Sequence, residues 1–218
     1  MRRAIGLSLA TATPAALLAL LLAIPCAYAL ARWRFPGHSL VDALLDIPVL
    51  LSPVALGFSL LLFFRTPWGR WLEEHTVRFV FAVPGILLAQ FFLALALAVR
   101  VLKASFEDVP VRLEQVARFL GCTPWQTFWR VSLPLARPGL LAAFVLGWAR
   151  ALGDFGATVT LAGAIPGRTE TIPISIYLNM DALRLDRAVA LMLVLAAVAL
   201  GVLLLSRWAW GGRRGDSS

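Results

Sequence analysis

Two oppositely charged residues stand one helical turn apart in the stretch RALGDFGATVT, within a chain that is otherwise strongly apolar. Arg150 precedes Asp154 by four residues, a spacing that lets the two side chains pair along one helix face. Ionisable groups are costly inside a membrane helix, so they are expected to face a bundle interior or water and to mark function. A pair that only holds the following loop in place is an equally open interpretation.

Other candidate groups for catalysis are sparse. Asp46 and Asp154 could form an intramembrane protease pair, but the Ala-Leu-Gly before Asp154 is not the Gly-x-Gly-Asp arrangement of such enzymes. The two histidines and the two cysteines are scattered singly, which predicts neither a metal site nor a disulfide framework. The sequence also has no Gly-x-x-x-x-Gly-Lys-Ser/Thr motif for nucleotide phosphates. We therefore predict no catalytic residue, no metal and no cofactor bound by this chain.

The composition indicates what kind of elements must hold these residues. Hydrophobic residues make up 60% of the chain, charged residues only 15%, and the mean hydropathy is +0.82. Soluble domains are typically about 45–50% apolar and about 25% charged. We therefore predict an all-α integral membrane protein. Its net charge of +8 is attributed to the ends of membrane spans rather than to nucleic-acid binding.

Five apolar stretches are long enough to cross a bilayer, which takes roughly 20 residues. They run over 4–31, 41–64, 79–102, 138–155 and 188–208. The first follows Arg2 and Arg3 and exceeds the usual signal-peptide core of about 7–15 residues, so it is interpreted as a retained span. We expect one transmembrane domain over 1–218.

Two connections between these spans are longer than the rest, 103–137 and 156–187. Six of the twenty Lys and Arg residues lie between Arg100 and Arg137. The positive-inside rule therefore favours a cytoplasmic 103–137 loop and an N-terminus on the outer side.

The 103–137 loop has the signals of a short amphipathic helix. Pro110 suits a helix start and Gly121 a helix stop around the periodic segment 111–120. Glu114 and Arg118 are four residues apart and are expected to pair on the exposed side. The opposite, apolar face would hold Leu113, Val116, Ala117 and Leu120. Such a helix either lies among lipid headgroups or docks a soluble partner.

The same loop resembles the signature loop of bacterial ATP-binding-cassette (ABC) importer permeases, which reads Glu-Ala-Ala, three residues, Gly, nine residues, Ile-x-Leu-Pro. Ala117 ends the triplet, Gly121 follows at the right spacing, and Val131-x-Leu133-Pro134 closes the pattern. Gln115 and Val116 depart from the family's Glu and Ala. The resemblance implies that the loop couples to an ATPase through Glu114, Gln115, Ala117, Arg118, Gly121, Leu133 and Pro134.

Further segments are similar to molybdate importer permeases: ALGDFGAT, LAGAIPGRTETIPISIY and RFPGHSLVDALLDIPVLLSPVALGFSLLL. Tungstate and sulfate permeases share parts of these motifs and remain alternatives, as does a non-transporting scaffold, which would need no coupling loop. The resemblance implies a type I importer permease of the bacterial inner membrane. Its partners would be a second copy of the chain, two cytoplasmic ATP-binding subunits that use ATP and Mg, an extracytoplasmic molybdate-binding protein and membrane lipid. Candidate gate or pathway residues are Arg150, Asp154, Phe155, Gly156 and Thr158.

Overall fold

All regular secondary structure in the described residues, 2–33 and 36–211, is helical. This computed structural model confirms the all-α prediction. A helix satisfies its backbone N–H and C=O groups internally, which an apolar chain in lipid requires.

Three helices are long and apolar enough to cross a membrane alone: α1 (Arg2–Arg32), α5 (Val83–Glu107) and α12 (Leu185–Gly211). They correspond to the first, third and fifth predicted spans.

The second predicted span, 41–64, is not one straight helix. It consists of α2 (His38–Leu50) and α3 (Pro53–Arg65), which are bent by 105° at Leu51–Ser52. Pro53 occupies the first turn of α3, and the hydroxyl of Ser52 accepts the backbone N–H of Ala55 at 3.2 Å. The N-cap at Ser52 and the proline after it favour the start of a second helix at this point. The hydrophobicity of the segment does not indicate this break.

The fourth predicted span is α9 (Arg137–Leu152), which is bent by 69° from the helical segment before it. Counting each bent pair as one span gives up to five, so the prediction of about five lies at the upper end of this range. The remaining helices are short and occupy the connections. They are α4 (Pro67–His75), α6 (Val111–Phe119), α7 (Pro124–Thr127), α8 (Leu133–Leu135), α10 (Gly156–Ala162) and α11 (Ile172–Asp181), with a π-helical turn at Phe128–Ser132.

Small side chains form the centre of the bundle, where α1, α5 and α9 pack together. A Cβ atom added at Gly147 of α9 would lie 3.4 Å from the carbonyl oxygen of Ala94 on α5. Small side chains let the helix backbones approach closely and form many van der Waals contacts. These contacts stabilise helix association in a membrane, where the hydrophobic effect between helices is absent. The buried alanines on α1 are Ala4, Ala12, Ala15, Ala16, Ala19, Ala23 and Ala27.

The two long connections lie at opposite ends of α1. Near its start, Ser8 Oγ accepts the N–H of Ile172 at 2.7 Å, and at its end Arg32 contacts Glu114 of α6. The 24 residues between Ser8 and Arg32 span about 36 Å at about 1.5 Å per residue. That length exceeds the roughly 30 Å hydrocarbon core of a bilayer, so the connections lie on opposite sides of the membrane.

Candidate functional site

The boundaries of the loop helix α6 follow the expected signals. Gly121 has a φ of +92°, a conformation that residues with a Cβ rarely adopt. It lets the N–H of Gly121 reach the carbonyl of Arg118 and the N–H of Cys122 reach that of Ala117, each at 3.0 Å. This is the paired hydrogen bonding of a Schellman C-cap, which stops the helix where the sequence predicted.

The expected exposed pair of Glu114 with Arg118 is wrong. Glu114 is 4% exposed, and its Oε1 accepts the Nε–H of Arg32 at 2.9 Å and the hydroxyl of Ser132 at 2.8 Å. Arg32 also donates from Nη2 to the carbonyl of Val109 at 2.8 Å. The fold brings Arg32, at the end of α1, to Glu114 as a longer-range partner, and Arg118 is left exposed.

This buried pair ties the loop helix to two spans at once. Arg32 belongs to α1, and Ser132 belongs to the π-helical turn that leads into α8 and α9. A buried ion pair with additional hydrogen bonds holds its two side chains in one arrangement, because separating them leaves a buried charge without a partner. The cluster therefore connects α6 to the ends of both α1 and the α9 segment.

The apolar residues of the loop face outward rather than into the bundle. Of the four residues predicted to form the apolar face, only Ala117 is buried, while Leu113, Val116 and Leu120 are exposed. Phe119 is 91% exposed and Leu120 is 81% exposed. Trp125 and Trp129, beyond Gly121, extend this surface. A group of large apolar side chains exposed in this way is typical of an interaction site. We call this surface, made of Val111, Leu113, Val116, Phe119, Leu120, Trp125 and Trp129, the loop face.

The second half of the loop is rigid by its own hydrogen bonds. Thr123 and Gln126 form a reciprocal capping box that starts α7.

The remaining predicted coupling residues have different surroundings: Gln115 and Gly121 are exposed, and Leu133 and Pro134 are half-buried at the start of α8. Their coupling role stays a prediction. No local pattern in the sequence indicates Arg32 or Ser132 as partners of Glu114, from which they lie 82 and 18 residues away.

The second predicted cluster lies at the break between α9 and α10. Asp154 is 1% exposed, and its Oδ2 accepts both the N–H of Thr158 at 2.9 Å and the Thr158 hydroxyl at 2.7 Å. Asp154 thereby satisfies a free backbone N–H in the first turn of α10. The expected partner Arg150 is present but looser, with Nη1 at 3.8 Å from Oδ1.

The other two residues of this cluster contact neighbouring helices. The Phe155 ring packs against Tyr177 of α11 with centroids 5.3 Å apart. Gly156 lies so close to α3 that an added Cβ would come within 2.9 Å of Val54 Cγ2. The cluster thus joins α9, α10, α11 and α3 at the end of the molecule opposite to the loop face. A gate or pathway role for its residues stays a prediction.

Comparison with known proteins agrees with this architecture. Residues 11–209 match the family described as "Binding-protein-dependent transport system inner membrane component". The molybdenum transport system permease protein ModB of Haemophilus influenzae is 39% identical over 94% of this chain and 91% of its own length. Its counterpart in Escherichia coli K12 is 37% identical over 94% of this chain and 92% of its own length. The sulfate transport system permease protein CysW of Synechococcus elongatus is 38% identical over 80% of this chain and 62% of its own length.

Solved structures show the same fold. One is a bacterial ABC transporter involved in the import of the acidic polysaccharide alginate, with a TM-score of 0.78 and 21% identity over 99% of this chain and 79% of that one. A complex of a bacterial alginate ABC transporter with a pentasaccharide-bound periplasmic protein gives a TM-score of 0.74 and 22% identity over 94% of this chain and 76% of that one. The chain therefore belongs to the binding-protein-dependent transport system inner membrane components, and it is an inner-membrane permease subunit of an ABC importer.

Proposed function

We propose that this chain is the permease subunit of an importer that carries molybdate into the cytoplasm. The observation that carries the proposal is the similarity to molybdenum permeases at 37–39% identity, which extends over nine-tenths or more of both chains for the Haemophilus and Escherichia proteins. The sulfate permeases match at similar identity but over about two-thirds of their own length. That match makes sulfate the second candidate substrate, and tungstate is a further one because it is also a tetrahedral oxyanion.

The loop face is the proposed docking surface for a cytoplasmic ATP-binding subunit. A helix with an exposed apolar stripe suits insertion into a groove of a partner protein. Beneath that stripe, the Glu114–Arg32–Ser132 cluster provides a stiff attachment to α1 and to the α9 segment. ATP and Mg would be bound by the partner, whose opening and closing moves α6.

The pathway is proposed to form between two copies of the chain. α12 supports this arrangement, since large apolar side chains such as Val189, Met192 and Leu193 are exposed along it and can face lipid or a second copy. The break at Gly153–Phe155 is the proposed outer gate, because α9 ends at Leu152 and a separate helix, α10, starts at Gly156. Asp154 is proposed to hold this gate in shape rather than to bind the anion, because its carboxylate would repel an oxyanion.

The test is ATPase activity in proteoliposomes that contain this chain, its ATP-binding subunit and a binding protein loaded in turn with molybdate, tungstate or sulfate. Stimulation by molybdate above the other two supports the proposal, and stimulation by sulfate alone replaces the substrate. If the chain forms no complex with the ATPase, the loop face is not a docking surface and is a membrane-surface helix instead.

A matched pair of variants tests the loop within that assay. Gly121→Val forces a branched side chain into a left-handed conformation and should abolish stimulation. Gly37→Val is the control, because Gly37 has the same φ of +92° and the same open space around it but lies outside the 103–137 loop. Equal ATPase stimulation in both variants would show that the loop does not couple the permease to the ATPase.

A further inference from the structure

Two adjacent hollows at the outer end of the molecule are lined by arginine. One, of about 390 Å³, lies between the start of α1 and the 163–171 connection and includes Arg3 and Arg168. The other, of about 340 Å³, lies between that connection and the start of α12 and includes Arg184 and Arg187. Each is far larger than the roughly 15 Å³ that one water molecule requires. Glu170 lines both hollows and separates them.

Among the residues that the structure describes, none of these four arginines has a carboxylate partner. Within residues 2–33 and 36–211, the ion pairs are Arg32–Glu114, Lys103–Asp42 and Arg150–Asp154. The one carboxylate in the lining is engaged otherwise: Glu170 Oε1 accepts the Ser175 hydroxyl at 2.6 Å, and Oε2 accepts the N–H of Gly167 at 3.0 Å. The hollows therefore combine four guanidinium groups with a single carboxylate that two short hydrogen bonds hold in place.

Their position makes this charge unusual. The hollows adjoin the Ser8–Ile172 contact, at the end of α1 opposite to the loop face. If the loop face is cytoplasmic, the arginines are on the translocated side, where the positive-inside rule disfavours them. Guanidinium groups bind tetrahedral oxyanions through two parallel hydrogen bonds, and a basic cleft raises the local concentration of anions.

We propose that the two hollows form a receiving site for a tetrahedral oxyanion, which takes the anion after its release on the outer side and before it enters the bundle. The inference rests on the proposed import of an oxyanion and adds the residues that receive it. Glu170 keeps this site weak, since its charge opposes anion binding from between the two hollows. A transported ion must bind well enough to enter and weakly enough to leave.

The opposing roles of arginine and glutamate give the site a signature that a structural role would not produce. Arg168→Gln should weaken oxyanion binding roughly two- to fivefold, the range for a single exposed charge pair. Glu170→Gln should strengthen it by a similar factor, because an amide can still accept from Ser175 or Gly167 while the repulsion is removed. Arg70→Gln is the matched control, since Arg70 is an exposed arginine on α4 that lines neither hollow.

The experiment is equilibrium binding of radiolabelled molybdate, and of sulfate in parallel, to the complete importer in nanodiscs without binding protein. Zwitterionic and phosphatidylglycerol-containing nanodiscs are compared, because a lipid phosphate offers the same chemistry as a free oxyanion. Thermal melting of each variant checks that the fold is retained, and Arg184→Gln provides a second variant in the other hollow.

The proposal predicts weaker binding for Arg168→Gln and Arg184→Gln, tighter binding for Glu170→Gln and no change for Arg70→Gln. Equal weakening by Arg70→Gln would overturn it in favour of general surface charge. Variants that alter only phosphatidylglycerol binding would overturn it in favour of a lipid site. If the unmodified importer moves no oxyanion, the proposed function fails first; if it imports normally and the hollow variants bind like the control, only the receiving site is refuted.

Discussion

Glu114 provides the sharpest test of how the loop is attached to the bundle. Replacing it with alanine removes the acceptor for both Arg32 Nε and the Ser132 hydroxyl. The side chains of Arg32 and Glu114 are only 9% and 5% exposed, so water cannot readily take over. Removing one partner of a buried pair typically costs about 3–5 kcal/mol.

That cost corresponds to a large change in melting temperature. A chain of 150–250 residues loses about 2–4 °C per kcal/mol, so Glu114→Ala should melt roughly 6–20 °C lower in detergent. Glu114→Gln keeps an acceptor for one of the two donors and should lose less, because a neutral hydrogen bond is weaker than a charge-assisted one. Gln115→Ala is the matched control, since Gln115 is the exposed neighbour on the same helix.

Local loosening is measured separately from global unfolding. Hydrogen exchange of the amides in Val111–Phe119 should accelerate in Glu114→Ala and stay unchanged in the control. The double variant Arg32→Met with Glu114→Leu should recover much of the melting temperature, because an apolar pair avoids the stranded charge. If Glu114→Ala melts and exchanges like Gln115→Ala, Glu114 is not held by Arg32 and the proposed transmission to α1 is wrong.

Three further perturbations test the bundle. Asp154→Ala should destabilise the protein by about 1–2 kcal/mol through loss of its hydrogen bonds to Thr158, while Asp154→Asn should cost less; chemical unfolding of both variants checks the order. Gly57→Ala places a Cβ 2.6 Å from the carbonyl oxygen of Ala157 and should cost about 1–3 kcal/mol, and a melting temperature equal to wild type would contradict the close contact of α3 with α10. Gln90→Met should raise the melting temperature, because neither polar atom of this fully buried amide has a hydrogen-bond partner among the described residues; a lower value would reveal a polar role for Gln90.

Local features of this chain could be predicted because they depend on neighbouring residues. The ends of α6 follow from Pro110 and from Gly121, whose positive φ satisfies the last carbonyls of the helix. The spacing from Arg150 to Asp154 correctly predicted that the two would approach. It did not predict that Thr158 would be the stronger partner of Asp154, since that depends on a new helix starting at Gly156.

The amino-acid sequence by itself determined the membrane class, the approximate spans and the loop helix, because these depend on hydrophobicity along the chain and on turn residues at the ends of the helix. Only the tertiary structure decided the direction of that helix. The periodicity of α6 distinguishes an apolar face from a polar one, but it does not show which face contacts the bundle. In the structure the buried residue is Glu114, because it pairs with Arg32 at the end of α1. The same holds for the 105° bend between α2 and α3, which separates one apolar run into two helices. Contacts between residues far apart in the chain depend on helix packing, and no local pattern records them.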